Sequence, residues 1–204
     1  MKNCKLKEIK ISKASILEVL GLALKKVKDD YIKISYQHVV RNLQKPERVF
    51  VAELYHQLRC IQESGKYASL LGELKFNVEI NKQGRLGDLD EFILNYNISK
   101  VIPDLVLHHS QNNNDHEKQL LACEVKSSYY ITQRNFEKDL VKLLLYKSSR
   151  FNYQNACFIF MGTKEELCKY LMQLSPDFFI KLERNKIIFI TYENEKTWSF
   201  YTLQ

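Results

Sequence analysis

Three ionisable residues sit at the ends of two apolar runs. Asp104 lies in Val101-Ile102-Pro103-Asp104-Leu105-Val106-Leu107, and Glu124 and Lys126 lie in Leu120-Leu121-Ala122-Cys123-Glu124-Val125-Lys126. A carboxylate or ammonium in an apolar sheet is costly unless it is paired or holds a metal. Residues two apart on a strand share a face, so Glu124 and Lys126 project together while Cys123 and Val125 turn to the other layer. If the strand carrying Asp104 is the neighbour, two carboxylates can grip a hard cation such as Mg2+ or Mn2+, which takes oxygen ligands and keeps water. The Lys126 amine then stands beside a metal-bound water of lowered pKa, and can itself be pushed toward the neutral form that accepts a proton. That arrangement suits phosphodiester hydrolysis.

The elements that must position these groups follow from periodicity. Ile16, Leu17, Leu20, Ala23, Leu24 and Val27 predict a helix over 13–29. The stretch from Tyr31 to Gln44 is ambiguous between a short strand and a short helix. Pro46 opens a helix to about Glu63, with Phe50, Leu54, Leu58 and Ile61 as its apolar stripe and Gly65 as its stop. Leu74, Phe76, Val78 and Ile80 alternate with polar residues, the pattern of a half-buried strand. Two denser strands follow at about 101–108 and 119–127, separated by the polar loop from Ser110 to Glu117, and their apolar character marks them as central. A helix over 132–149, a strand over 156–161, a helix over 164–173 and strands over 186–192 and 197–203 complete the chain.

Length and composition set the class. At 204 residues, with 45% hydrophobic and 27% charged residues and only 6 Gly and 3 Pro, the chain reads as one globular core rather than a disordered or low-complexity protein. No run is long and apolar enough to span a membrane and the start lacks a signal peptide, so no membrane partner and a cytoplasmic setting are expected. Five scattered cysteines without a Cys-x-x-Cys pair argue against a disulfide framework or a zinc ribbon. His108, His109 and His116 with Cys123, and His56 with Cys60, lack a second ligand pair at zinc spacing. There is no phosphate-cradling glycine loop and no serine nucleophile elbow.

The net charge of +7 is concentrated in residues 1–45, with 11 Lys or Arg against 4 acids, which separates a basic, mainly helical N-terminal segment from a domain over 46–204. Such a segment fits a polyanion, and equally a solvated lysine-rich surface. Arg134, Lys138 and Lys142 recur every four residues, as a phosphate-contacting stripe or as a solvated face partly neutralised by Glu137 and Asp139.

Single tripeptides carry little here, since acid-x-Lys recurs at Glu8-Ile9-Lys10 and Glu73-Leu74-Lys75, and Pro-Asp recurs at Pro176-Asp177. Only Pro103-Asp104 and Glu124-Val125-Lys126 sit on successive central strands. In that context the chain resembles the PD-(D/E)XK nuclease superfamily of restriction-endonuclease-like folds. Pro46-Glu47-Arg48-Val49-Phe50-Val51, Asn77-Val78-Glu79-Ile80-Asn81, Pro103 to His108, Leu120 to Lys126 and Asp139-Leu140-Val141-Lys142-Leu143 follow one bacterial branch in order, over residues 46–162.

The resemblance implies an α/β fold with a restriction-endonuclease-like core, helix-three strands-helix-strand around a central mixed sheet, here with an N-terminal helical extension. It implies a metal-dependent nuclease, most readily on DNA, with Mg2+ or Mn2+ held by Asp104, Glu124 and Val125. Lys126 is then the catalytic amine that orients or deprotonates water. Such families add an acid from the first helix: at about 100° per residue Glu47 continues the stripe of Phe50, Leu54 and Leu58, whereas Glu53 lies round the side. A glutamate in the first turn also complements the helix dipole, so both roles stay open for Glu47. Glu79 is a weaker candidate on a polar strand face. The alternative is a non-catalytic nucleic-acid-binding or protein-interaction module on the same fold. Against it stands the acid, acid and lysine set, because carboxylates facing a polyanion do not serve a pure binder.

Overall fold

Strands that are apolar on both faces demand cover on both sides, and the chain supplies it with two layers of helices. The computed structural model describes residues 5–32, 46–78, 96, 98, 101–109, 116–128, 131–194 and 197–204. In chain order its elements are β1 (Leu6–Glu8), α1 (Ile16–Lys26), α2 (Asp29–Ile32), α3 (Pro46–Glu63), α4 (Ala68–Leu71), β2 (Leu74–Val78) and β3 (Leu105–His109). A 3-10 turn (His116–Lys118), β4 (Gln119–Ser127), α5 (Gln133–Lys147), β5 (Asn155–Met161), α6 (Lys164–Leu171), α7 (Pro176–Arg184), β6 (Ile188–Asn194) and β7 (Thr197–Leu203) follow. The seven strands form one mixed, open sheet in the order β1-β7-β6-β5-β4-β3-β2. The β4–β5 and β5–β6 pairs are parallel, and the others antiparallel.

Alternation along β4 shows how the layers are divided. Leu121, Cys123 and Val125 face a core shared with α1 and α3, among Leu20, Leu24, Phe50, Leu54 and Leu58. Ala122 faces the other core, with Phe136, Leu140 and Tyr146 of α5, Leu167 of α6 and Phe178 of α7. Each fully buried Phe or Leu contributes about 1.5–3 kcal/mol by leaving water, so these two apolar layers dominate the fold's stability. The helix starts are chemically marked. The Ser15, Thr132, Thr163 and Ser175 side chains accept from backbone N–H groups of α1, α5, α6 and α7.

The six strands expected from periodicity are present, and β1 is a seventh that three residues of sequence do not signal. Leu6, Lys7 and Glu8 pair with Leu203, Thr202 and Tyr201, so β1 closes the far edge. The basic residues 1–45 therefore carry a strand of the same sheet, and α1 packs its buried Val19, Leu20, Ala23 and Leu24 into the first core. The helix expected over 13–29 runs from Ile16 to Lys26, and after the extended Val27 a separate turn, α2, begins at Asp29. Strand β3, expected from 101, begins later, at Leu105, because Pro103 has no N–H to give the ladder. Helix α7 was not anticipated, although Ser175-Pro176 followed by Phe178 and Leu182 at one-turn spacing is a start signal. Residues 33–45, Glu79 with Ile80, and the loop over 110–115 lie outside the described residues. None of the described helices is long and apolar enough to cross a membrane.

Candidate active site

The antiparallel register pairs Leu105 with Cys123, and Asp104, the residue just before β3, lies near enough to Glu124 for its charge to push the Glu124 carboxyl up. The Asp104 N–H donates to the Cys123 carbonyl at 3.1 Å. In return the Val125 N–H donates to Asp104 Oδ2 at 2.7 Å, so a carboxylate replaces the next backbone carbonyl of the ladder. Val125 itself turns its side chain into the α1–α3 core and offers this region its main chain only. Burial pushes the Asp104 carboxyl up to about 6, and Asp139 adds to this, against the opposing pull of the Val125 N–H and of Lys142 and Lys126.

Glu124 is 1% exposed and lies on the α5 face. An unpaired carboxylate there would cost several kcal/mol, and two side chains of α5 answer it. The Tyr146 hydroxyl donates to Oε1 at 2.7 Å and the Lys142 ammonium to Oε2 at 2.9 Å. Burial and then the neighbouring Asp104 carboxylate still drive Glu124 well above the usual range, with Lys142 opposing. The Tyr146 hydroxyl is driven up as well, by burial and then by Glu124.

Lys126 shares the face of Glu124 and pairs its Nζ with Asp139 Oδ2 at 2.9 Å. Asp139 Oδ1 accepts from Lys142 at 2.7 Å, so one buried carboxylate holds two ammonium groups. Burial favours a neutral Lys126, but Asp139, Glu47 and Asp104 outweigh it and hold the amine above its ordinary value. These three carboxylates favour the charged form of Lys126, in which the amine is a hydrogen-bond donor. Lys142 is likewise held up by Glu124 and Asp139 against its burial.

Glu47 reaches the same strand end from the other layer: its Oε1 accepts from the Ser127 N–H at 3.4 Å. Glu53 instead accepts from Gln57 one turn further along α3 at 2.8 Å. The stripe on α5 divides. Relative to Phe136, Arg134 and Lys138 lie roughly 160° to either side and point outward, whereas Lys142 lies only about 120° away and turns to the sheet. Arg134 is accordingly exposed, Lys138 half-buried, and Lys142 engaged with Glu124 and Asp139.

From sequence, Asp139 enters only as a neutraliser of the α5 stripe and as part of the Asp139–Leu143 segment, and Tyr146 and Arg48 have no place in the site. The first two were in principle legible, because at about 100° per residue Asp139, Lys142 and Tyr146 fall on one flank of the Phe136–Leu140–Leu143 stripe. Arg48 lines a cleft of about 80 Å³ with Val51 and Ala52 of α3, Val78 of β2 and Asp104, so one cationic side chain and an apolar wall open beside the carboxylate. Among the described residues no group of three or more His, Cys, Asp and Glu side chains gathers into a metal cage. Asp104, Glu124 and Glu47 bring carboxylate oxygens to this strand end, the donor type a hard divalent ion takes, while both Glu124 oxygens are engaged by Tyr146 and Lys142. No family model, no curated protein and no solved structure matches this chain.

Proposed function

We propose that this chain is a divalent-metal-dependent nuclease on a PD-(D/E)XK-type core, acting on DNA. The observation that carries it is the Asp104 carboxylate, tied to the Val125 N–H, beside the buried Glu124, whose pKa the Asp104 charge raises, with Lys126 on the same strand face as Glu124. Carboxylates that resist ionising beside one another are relieved by a cation. Asp104, Glu124 and the Val125 main chain would hold Mg2+ or Mn2+, which when bound supplies a Lewis acid and an acidified water.

The chain's own groups divide the remaining work. Lys126, as an ammonium, donates a hydrogen bond that orients the attacking water or steadies negative charge on the phosphorane. Glu47 stands at the same strand end and adds negative charge toward Lys126. Arg48, which lines a cleft with Asp104, would meet a phosphate there, and the exposed Arg134 and half-buried Lys138 of α5 would add further backbone contacts.

One observation favours the rival, a non-catalytic binding or interaction module on the same fold. Both oxygens of Glu124 already have protein donors, so its charge is answered from within. The test is incubation of supercoiled and linear DNA, and of RNA, with the full chain under Mg2+ or Mn2+ and under a chelator. Metal-dependent cleavage by wild type that is lost in Asp104→Ala supports the nuclease; no cleavage of any nucleic acid under either metal overturns it.

A further inference from the structure

Glu124 and Lys126 both come from β4, yet the side chains that hold them relative to one another come from α5. Tyr146 Oη, Glu124, Lys142 Nζ, Asp139 and Lys126 Nζ form one unbroken chain of contacts at 2.7, 2.9, 2.7 and 2.9 Å. Two of its members are proposed site residues, Glu124 and Lys126, two positions apart on β4. The other three lie on one flank of a single helix, at residues 139, 142 and 146. Asp139 is 5% exposed, and it is the point at which the chain branches to both lysines.

We infer that Asp139 is the positioning residue of this site, holding the Lys126 ammonium in place directly and the Glu124 carboxylate through Lys142. This deepens the nuclease proposal and rests on it. A lysine has four side-chain torsions and a half-buried Nζ, and without a fixed acceptor its amine samples many placements. A buried carboxylate with one oxygen on each ammonium sets the spacing of the two lysines. Carboxylate and amine are thereby kept about one strand repeat apart, where a reacting phosphate and its water could be met together. Misplacing a catalytic group by about 1 Å costs on the order of 10²-fold in rate, which is the scale of effect expected from the loss of such a support. Asp139 touches neither substrate nor reacting atoms.

The test compares the full chain with Asp139→Asn and Asp139→Glu. Asp139→Asn, equal in shape but uncharged, is expected to lower kcat for DNA cleavage on the order of 10²-fold while KM stays within about threefold of wild type. Asp139→Glu, which keeps the charge, is expected to recover part of that loss. A kcat for folded Asp139→Asn within about twofold of wild type overturns the inference, and so does a rise in KM alone.

Should Asp139→Asn fail to fold, Lys142→Arg against Lys142→Met reads the same unit: arginine can donate to both carboxylates and retains the rate, methionine does not, and equal rates overturn the inference. A readout independent of activity is the 15N signal of the Lys126 ammonium, expected to be observable in wild type and lost to exchange with water in Asp139→Asn. An unchanged signal overturns the placement even if wild type cleaves nothing, whereas absence of cleavage with the expected change in signal overturns the nuclease proposal alone.

Discussion

Asp104 Oδ2 accepts the Val125 N–H at 2.7 Å, while the Asp104 N–H donates to the Cys123 carbonyl at 3.1 Å. The carboxylate thus does the work of a strand carbonyl at the point where Pro103 has interrupted the ladder. That tie fixes one candidate metal ligand against the strand that carries the other. Burial raises the Asp104 carboxyl to about 6 against the opposing pull of that N–H, so its charge depends on pH near neutrality.

A carboxyl with a folded pKa near 6 and an unfolded value of about 3.9 binds its proton more tightly when folded. Its stabilising contribution is present below the unfolded value and is lost as pH rises through about 6. Asn at this position keeps an oxygen for the Val125 N–H and has no proton to lose. In a chelator, Asp104→Asn is expected to melt a few degrees above wild type at about pH 7.5 and level with it at about pH 4. Thermal unfolding followed by circular dichroism checks this, and a variant less stable at both pH values contradicts it.

Lys126→Met is expected to reduce cleavage by roughly 10²–10³-fold, the loss typical of one preorganised donor, while Mn2+ binding by calorimetry remains. The two readouts separate because the ammonium serves water and phosphate and the carboxylates serve the cation. Cleavage equal to wild type would remove Lys126 from the site.

Glu47 meets the Ser127 N–H at the strand end, and Glu53 meets Gln57 on its own helix. Glu47→Gln is expected to slow metal-dependent cleavage on the order of 10²-fold, and Glu53→Gln to leave it within about twofold, with little change in melting for either. The reverse ranking with both proteins folded would mean that α3 contributes a different face.

Arg48 and Asp104 both line one cleft. Replacing Arg48 with alanine is expected to raise KM for DNA, with little change in kcat, and to reduce the slope of log affinity against log salt by about one counterion. An unchanged salt dependence would show that Arg48 meets no phosphate. By contrast, deleting residues 1–45 is no clean test of their charge. The deletion takes away β1 and the α1 contribution to the first core.

What the sequence determined by itself are the features set by local geometry. Period-two spacing puts Glu124 and Lys126 on one face of a strand and Val125 on the other, because the pleat alternates whatever surrounds it. Apolar runs mark β3 and β4 as central, and the stripe of Phe50, Leu54 and Leu58 places Glu47 on the sheet-facing side of α3. Only the tertiary structure decided what each ionised group meets. Lys142 has the spacing of a surface stripe with Arg134 and Lys138, and Asp139 has that of a neutralising neighbour. Both turn inward because the facing layer presents Glu124 and Lys126, and a buried charge goes where its counter-charge is. The charge of Lys126 follows the same rule: spacing leaves it open, and three carboxylates around the amine, Asp139 of α5, Glu47 of α3 and Asp104 just before β3, favour the ammonium form.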